Sequence, residues 1–499
     1  MTDYPVIVGA GQVTNRARDV REAREPLDLM AEAARLAGDD AGVPGLLARA
    51  DSVRVVSVLS WPSQDPPADL AARAGAPSGE RVYTTIGGNT PQWLVNETAE
   101  AIVRGDVRIA LLAGGEAMHS LRLARKAGQQ PDWPPRGRPK ANAGDTRFGV
   151  NELEHLHGAS QAITVYPLFE NALRAHYGRS LDEHQRALGE LCGRFAAVAA
   201  QHPNAWFQRA RSAQELATAS SENRMVSFPY PKHMNAIMDV DQSAALVMTS
   251  ASTARELGVP EDRWVYLHGC GDATEHWYVT ERVNYYSSPA IRVAGRRALS
   301  MAGVGIEEIA AFDLYSCFPS AVQLSRDALG IAADDPRPLT VTGGLPYFGG
   351  PGNNYTMHGI ATMAGRLRAQ PDELGLVSGL GWWATKHAIG IYGVRRPTKE
   401  WSRTDPQVDQ AEVDAMPHPG VVAAAEGPAT VETYTVSYDR EGAPQLGIVI
   451  GRLDDGRRFI ANVPAEDRAL LEAMTAREFV GARGAVRHDA ATGINRFSA

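Results

Sequence analysis

The side chains best able to act as nucleophiles or metal ligands are few and widely separated. The chain has three cysteines, Cys192, Cys270 and Cys317, with no short spacing between them. Such a set excludes a disulfide framework and a cysteine-rich zinc module. His155 and His157 lie two residues apart, but no third ligand follows at a matching spacing, so we predict no metal site. Nothing in the sequence places a base beside a cysteine, and we expect all three to be structural.

Two glycine-rich turns have the composition of phosphate-binding loops. Gly9-Ala-Gly11 follows an apolar run, as a dinucleotide-binding turn does, but Thr14 stands where the third glycine belongs. Gly349-Gly-Pro-Gly-Asn-Asn354 lacks the Lys-Ser/Thr pair of a P-loop. The first turn therefore gives little support to a dehydrogenase, and we interpret the second as a flexible active-site loop.

The elements that must position such turns alternate between short apolar runs and helical patterns. Residues 4–9 and 107–113 are largely apolar runs of strand length, whereas 27–37 and 91–103 have helical spacing. Strands of this kind are typical of a mostly parallel sheet packed between helices. The same alternation returns from Ala244 onward, which indicates an internal duplication.

Length, composition and charge restrict the function classes. The chain has 499 residues, 44% of them hydrophobic, and a net charge of −8. Its length is enough for several domains with a large core. The acidic balance argues against a nucleic-acid partner, which would require a concentrated basic face. No apolar run is long enough to span a membrane and the N-terminus lacks the basic start of a signal peptide, so we expect a cytoplasmic protein without a membrane span.

Changes in composition along the chain predict its domains. Residues 120–235 contain a proline-rich stretch and two helical patterns, which we interpret as an insertion that covers a site. A polar, acidic stretch with scattered prolines follows the second half, and strand-like runs follow that stretch. The predicted units are a first half (1–119 and 236–262), a loop domain (120–235), a second half (263–396), a linker (397–428) and an additional β-rich domain (429–499).

Five segments, taken in order, resemble the thiolase superfamily. They are Tyr83-Thr-Thr-Ile-Gly-Gly-Asn-Thr-Pro-Gln92, Ile109-Ala-Leu-Leu-Ala-Gly-Gly-Glu-Ala117, Asp241-Gln-Ser-Ala-Ala-Leu-Val-Met248, Leu314-Tyr-Ser-Cys-Phe-Pro319 and Thr342-Gly-Gly-Leu-Pro-Tyr-Phe-Gly-Gly-Pro351. Residues 194–207 resemble the loop-domain helix of the sterol-carrier-protein branch, and the added β domain makes the chain similar to thiolase-like proteins of type 1. The resemblance implies a duplicated five-layered α/β/α/β/α fold, with a loop domain over a site for a coenzyme A (CoA) thioester.

Thiolysis requires a cysteine at a helix N-terminus, where backbone N–H groups and the helix dipole favour a thiolate. The helix start is retained here, because Thr90 is a good N-cap and Pro91 a good first helical residue. The family cysteine falls on Gly88 when the match runs forward from the turn, and on Asn89 when it runs backward from Gly114. Neither residue can form a thioester.

The resemblance assigns the other family positions to changed residues as well. The Asn or His that holds the thioester oxygen falls on Tyr315, the His of the second loop on Gly350, and the second cysteine near Gly379. We therefore predict no ordinary thiolase turnover, although the family label is an acyltransferase of the acetyl-CoA acetyltransferase type. Trp382 and Trp383 are expected to fill the space beside Gly379.

Two further functions stay open at this point. One branch of the superfamily cleaves carbon–carbon bonds by retro-aldol reaction without the cysteine, and this resemblance makes Tyr315, Tyr355 and His358 candidate catalytic residues. The other possibility is a CoA-thioester binder or scaffold that performs no chemistry. In each case the ligand implied by resemblance is acyl-CoA, with no covalently bound cofactor, in a homodimer or a monomer.

Overall fold

The computed structural model describes residues 3–77 and 79–499, in which strands and helices alternate. The strands are β1 (Pro5–Thr14), β2 (Ser52–Val55), β3 (Glu80–Tyr83), β4 (Ile109–Ala117), β5 (Met225–Ser227), β6 (Tyr230–Pro231), β7 (Asp241–Ser250), β8 (Val265–Thr274), β9 (Ile309–Asp313), β10 (Leu374–Gly381), β11 (Lys386–Gly393), β12 (Gly427–Tyr438), β13 (Pro444–Leu453), β14 (Arg458–Pro464), β15 (Arg483–Asp489) and β16 (Ile494–Ser498). The helices are α1 (Pro26–Asp40), α2 (Pro66–Ala74), α3 (Thr90–Arg104), α4 (Met118–Lys126), α5 (Glu152–Leu156), α6 (Ala162–His176), α7 (Leu181–Gln201), α8 (Ala213–Ala217), α9 (Ala251–Glu256), α10 (Pro289–Ala302), α11 (Pro319–Ala328), α12 (Tyr355–Ala369), α13 (Pro406–Asp414) and α14 (Arg468–Ala476).

The large sheet consists of two halves with the same strand order. Its full order is β3-β2-β4-β7-β1-β8-β11-β10-β9. In the first half β1 and β4 both pair antiparallel with β7, and β4 pairs parallel with β2. In the second half β8 and β10 both pair antiparallel with β11, and β10 pairs parallel with β9. The halves join where β1 meets β8, and their common topology confirms the predicted duplication.

Helices cover the sheet in layers. Helix α1 packs on the outer side of the first half, α10 on the outer side of the second, and α3 and α12 contact strands of both halves. A helix in the middle layer must be apolar on most of its surface, because it has little contact with water. Helix α12 meets this requirement, with buried Met357, Ile360, Met363 and Leu367 on successive turns. The five-layered α/β fold is confirmed.

The insertion and the C-terminal domain contact each other. The insertion between β4 and β7 carries α4 to α8 and the short strands β5 and β6. In the C-terminal domain the order β13-β14-β16-β15-β12 closes into a barrel through pairing of β12 with β13. Strand β5 pairs with β12 at Ser227 and Ser437, and Asn171 Nδ2 donates to the carbonyl of Tyr434 at 2.9 Å. The insertion and the barrel therefore pack directly against each other.

The segment 397–428, predicted as a linker, contains helix α13 and packs against the second half. Asp409 accepts from Arg297 Nε and Nη2 at 2.7 and 2.9 Å. Arg403, whose side chain is 3% exposed, forms an ion pair with Asp272 at 2.8 Å. The segment is thus anchored by these ion pairs together with the buried side chains of Trp401 and Val413, which its largely polar composition concealed.

Candidate functional site

The turn between β3 and α3 positions the first candidate residues. Helix α3 begins at Thr90 with Asn89 as N-cap, one residue earlier than predicted. Thr90 Oγ1 donates to the carbonyl of Gly87 at 2.6 Å, so this hydroxyl does not cap the helix. The amide of Gly87 donates to Asn353 Oδ1 at 2.9 Å, and Gly87 has φ of 155°, which favours glycine. These bonds fix the turn against the loop that precedes α12.

Gly88 and Tyr315 share one space. A Cβ atom at Gly88 would lie 2.1 Å from Tyr315 Oη and 2.6 Å from the carbonyl oxygen of Leu380. The phenol of Tyr315 thus occupies the place where a side chain at Gly88 would begin. Asn89 points elsewhere, since its Oδ1 lies 2.3 Å from the Cβ position of Gly381. The two alternative nucleophile positions therefore face different surroundings.

The other two positions that the resemblance assigns, Gly379 and Gly350, are also closely packed. A Cβ at Gly379 would lie 2.9 Å from the Cα of Asn89, so the backbone of the turn closes that position. A Cβ at Gly350 would lie 3.2 Å from the carbonyl oxygen of Ile237 and 3.2 Å from Leu345 Cδ2. The structure thus brings Gly379 to the turn, whereas Gly350 packs against Ile237 and Leu345.

The two candidate tyrosines lie in contact. Their rings meet edge to face with centroids 5.6 Å apart. Tyr315 is 6% exposed and Tyr355 is 0% exposed. Tyr355 Oη lies 2.6 Å from Thr342 Oγ1, which in turn donates to Asp313 Oδ1 at 3.1 Å. Burial raises the pKa of both phenols above the ordinary value. Both tyrosines are therefore neutral hydrogen-bonding groups at physiological pH.

His358 lies one turn further along α12. Its Nδ1 donates to Gln12 Oε1 at 2.8 Å, and its Nε2 has no hydrogen-bond partner among the described residues. Burial, with a contribution from nearby His202, lowers the pKa of His358 to about 3. The ring of Phe348 contacts both His358 and Tyr355, with centroids 5.1 and 6.0 Å away. His358 is thus a neutral imidazole whose ring, like that of Tyr355, contacts Phe348.

Comparison with known proteins identifies the family of the chain. The sequence model of the thiolase-like protein type 1 additional C-terminal domain matches residues 409–491. A monomeric SCP2-thiolase like protein type 1 from Mycobacterium smegmatis is 37% identical, with 99% of each chain covered and a TM-score of 0.85. The chain belongs to the thiolase-like proteins of type 1. The family prediction is therefore confirmed.

More distant structures share the thiolase fold of this thiolase-like protein. The Ltp2-ChsH2(DUF35) aldolase is 17% identical, with a TM-score of 0.61 over 79% of this chain and 99% of the other. The acetyl-CoA acetyltransferase from Syntrophomonas wolfei is 17% identical, with a TM-score of 0.55 over 79% of this chain and 100% of the other. No curated protein is similar enough to count as a match.

One cavity of this thiolase-like protein lies along α7 and has a volume of about 640 Å³. Its charged lining, which defines the arginine cavity, is Arg179, Arg194, Arg211, Arg326, Glu190 and Asp334. Leu191 also lines a small apolar void of about 10 Å³, which adjoins Ser316, the residue next to Tyr315. Phe195 and Tyr347 form walls of this small apolar void.

A second cavity opens on the other side of the turn. Its volume is about 290 Å³, and it lies between the turn, the start of β11 and helix α13. We call it the lysine cavity, because Lys386 lines it beside Asn89. Sequence reasoning assigned no role to Lys386, because nothing in a sequence distinguishes a buried lysine from an exposed one.

Residues 3–77 and 79–499 contain neither a metal-ligand cluster nor a membrane span. Over these ranges, His, Cys, Asp and Glu side chains form no group of three or more that could hold a metal ion. Within the same ranges, no helix combines the length and the apolar composition needed to cross a bilayer.

Proposed function

We propose that this thiolase-like protein binds a CoA thioester and does not transfer its acyl group by thiolysis. The observation that carries the proposal is the set of arginines that lines the arginine cavity, because guanidinium groups suit the phosphates of CoA. The pantetheine arm would extend toward the small apolar void, which shares Leu191 with the arginine cavity and adjoins Ser316 beside Tyr315. This void holds no more than about one water molecule, so binding requires it to widen.

The charges of the arginine cavity favour an anionic ligand. Arg194 is exposed and contributes its charge directly to the cavity. Arg211 forms an ion pair with Glu215, and Arg326 with Asp327. Guanidinium groups bind phosphate oxygens in pairs, which gives both affinity and orientation. With Glu215 and Asp327 counted beside Glu190 and Asp334, four carboxylates balance the four arginines. An anionic ligand would therefore be bound by Arg179 and Arg194, which form no ion pair within residues 3–77 and 79–499.

The cysteines near Ser316 do not replace the nucleophilic cysteine of a thiolase. Cys192 lines the small apolar void and Cys317 adjoins Ser316, but both thiols are buried. Burial raises the pKa of each to about 12, so neither is a thiolate at physiological pH. Tyr315, which is neutral, is suited to donate a hydrogen bond to a thioester oxygen. The proposed role is recognition of the thioester.

Calorimetric titration with CoA and acetyl-CoA tests the proposal. We expect binding of both, at least tenfold weaker in the Arg194→Glu, Arg211→Glu double variant. Arg477→Glu is the control, because Arg477 is exposed and lines a different cavity. Intact mass after incubation with acetyl-CoA should show no acyl adduct. Absence of binding, or equal affinity in the double variant, would refute the CoA assignment.

A retro-aldol lyase is the second candidate function, and the chain from Tyr355 through Thr342 to Asp313 favours it. A β-hydroxyl proton would pass to Tyr355 as the Tyr355 proton moves through Thr342 to the Asp313 carboxylate. The bond between Cα and Cβ then breaks and releases a carbonyl compound, and the remaining CoA-thioester enolate takes up a proton. The relay is required because an isolated neutral phenol is a weak base.

Product analysis with a β-hydroxyacyl-CoA separates the two functions. Lyase activity predicts a released aldehyde or ketone and at least a hundredfold loss of rate in Tyr355→Phe and Tyr315→Phe. Binding without cleavage supports recognition alone. Full turnover in both variants would exclude the tyrosine mechanism.

We further propose that the chain is a monomer, like the monomeric SCP2-thiolase like protein type 1 from Mycobacterium smegmatis. Arg403 of the segment before α13 forms ion pairs with Glu97 and Glu100 on α3, at 2.7 and 2.8 Å. This segment therefore covers part of the α3 surface with the chain itself. Light scattering of the full-length protein should give the mass of one chain, and twice that mass would overturn the proposal.

A further inference from the structure

We propose that Lys386 forms an imine with a small, neutral aldehyde or ketone that binds in the lysine cavity. This activity requires neither CoA nor Tyr315, because Tyr315 is not among the residues that line the lysine cavity. Its evidence is the burial of Lys386, the unpaired polar atoms around it and the charges that line the cavity.

Lys386 is buried, whereas the other lysines of the chain are exposed. It is 4% exposed, and the exposed set is Lys126, Lys140, Lys232 and Lys399. Its Nζ donates to the carbonyl of Ile86 at 2.6 Å, and in the described ranges no carboxylate lies within ion-pair distance of it. A buried ammonium without an ion pair is costly, so it indicates a functional role.

Unpaired polar atoms line the same cavity. Asn89 is 7% exposed and its Oδ1 has no hydrogen-bond partner in the described part of the chain; the same is true of Thr85 Oγ1. Asn89 Oδ1 and Lys386 Nζ are also close together, since they lie 2.4 and 2.9 Å from the same Cβ position, that of Gly87. A ligand hydroxyl in this space would satisfy the Asn89 oxygen, which otherwise loses a hydrogen bond.

The charges around Lys386 favour a neutral ligand. Asp145 and Asp272 line the cavity with it. Asp145 is bound by Arg147 at 2.7 Å and Asp272 by Arg403 at 2.8 Å, so both neighbouring cations are already paired. A ligand carboxylate would therefore meet two acidic groups and, within the described lining, Lys386 as the cation without an ion pair. The amides of Gln407 and Gln410 and the ring of Trp93 complete a lining that suits a small polar carbonyl compound.

The reaction balances without another reagent. The Lys386 ammonium releases a proton, and its nitrogen attacks the carbonyl carbon while the carbonyl π electrons move to oxygen. That oxygen takes up the proton, giving a carbinolamine whose hydroxyl is within the reach of Asn89 Oδ1. The nitrogen lone pair then forms the C=N bond and the oxygen leaves as water with a further proton. Ammonium and carbonyl thus become iminium and water.

The electrostatic surroundings support the first step. Burial lowers the pKa of Lys386 to about 8, with Asp145 opposing this shift and Arg147 adding to it. His387 and Asp272 are the other titratable groups in the lining. The ordinary pKa of a lysine is 10.5, so a pKa of about 8 gives Lys386 on the order of a hundredfold more free amine at pH 7 than the ordinary value would.

Reductive trapping tests the proposal on the full-length protein. Glycolaldehyde and sodium cyanoborohydride are added at pH 7, and peptide mapping locates the adduct. We expect Lys386 to be modified at least tenfold faster than any exposed lysine, and pyruvate to react at least fivefold more slowly than glycolaldehyde. Adducts spread over the exposed lysines, with Lys386 unmodified, would overturn the proposal without any variant.

Variants then connect the adduct to the cavity. Lys386→Arg should abolish the fast adduct, and Lys126→Arg, at an exposed position, should leave it unchanged. Gln407→Trp narrows the cavity mouth at an exposed residue of α13 and should slow trapping at Lys386 at least fivefold. The proposal would be contradicted if Gln407→Trp were trapped at Lys386 as fast as the parent protein, or if a fast adduct persisted in Lys386→Arg.

Discussion

The two sides of the turn at Gly88 and Asn89 differ in how they are filled. On one side Tyr315 lies so close to Gly88 that no Cβ atom fits, and on the other an open cavity of about 290 Å³ holds Lys386 and the Asn89 amide. Both sides belong to the same helix start. The comparison teaches that one position of a turn can be closed by packing while reactive groups remain a few ångströms away.

The stability of the protein should be most sensitive to substitution at Gly88, on the side of the turn that Tyr315 closes. Gly88→Ala places a Cβ against Tyr315 Oη and against the Leu380 carbonyl, which cannot move away easily. We expect a loss of about 4 kcal/mol in the free energy of unfolding, measured by urea denaturation. Adding Tyr315→Ala should recover part of it.

Gly365→Ala is the matched control for Gly88→Ala. Gly365 lies within α12 and a Cβ there meets nothing within 4 Å. The control should be neutral or stabilise the protein by about 0.5 kcal/mol, because alanine favours the helix. Equal effects in the two alanine variants would remove the claim that one side of the turn is closed.

Arg403 anchors the segment before α13, the helix that lines one wall of the lysine cavity. Arg403→Ala removes the partner of Asp272, a carboxyl whose pKa burial raises to about 6 against the opposing effect of Arg403. We expect a loss of about 3 kcal/mol, since removing one member of a buried ion pair leaves an uncompensated charge. Arg296→Ala breaks an exposed pair with Glu412 and should cost under about 1 kcal/mol.

Lys386→Met should raise the free energy of unfolding, whereas Gly88→Ala and Arg403→Ala lower it. The folded state lowers the pKa of Lys386 from 10.5 to about 8, so its positive charge destabilises the fold below pH 8. Between pH 8 and 10.5 the unfolded chain binds more protons, and the stability of the parent protein rises with pH. We expect a gain of about 2 kcal/mol in Lys386→Met at pH 7 that shrinks toward pH 10.5 in urea titrations. Lys126→Met should show no such dependence.

Tyr315→Phe should have the smallest effect. It removes one hydroxyl but keeps the ring that packs on Tyr355. The unfolding free energy should change by less than about 1 kcal/mol, whereas Gly88→Ala in this background should remain destabilising, because the ring carbon Cζ still lies 2.5 Å from the new Cβ. Full rescue by Tyr315→Phe would place the whole clash on the hydroxyl.

Much of the fold could be predicted from the sequence because its signals are local. Buried strands such as β4 are continuous apolar runs, and Pro91 marks the start of α3. The candidate site was harder to predict from the sequence. That Tyr315 and Gly88 compete for one space depends on two loops that meet only in the folded chain. Lys386 was overlooked for the same reason, since burial of a single lysine has no pattern in a sequence.

The pairing of β5 with β12 has a consequence for synthesis on the ribosome. Ser227 and Ser437 are about 200 residues apart, a separation that makes such contacts slow to form. The insertion emerges long before the barrel that covers it, so the edge of β5 stays unpaired until the last domain is made. A chain stalled before β12 would expose this edge and is the form in which we expect chaperone dependence or aggregation.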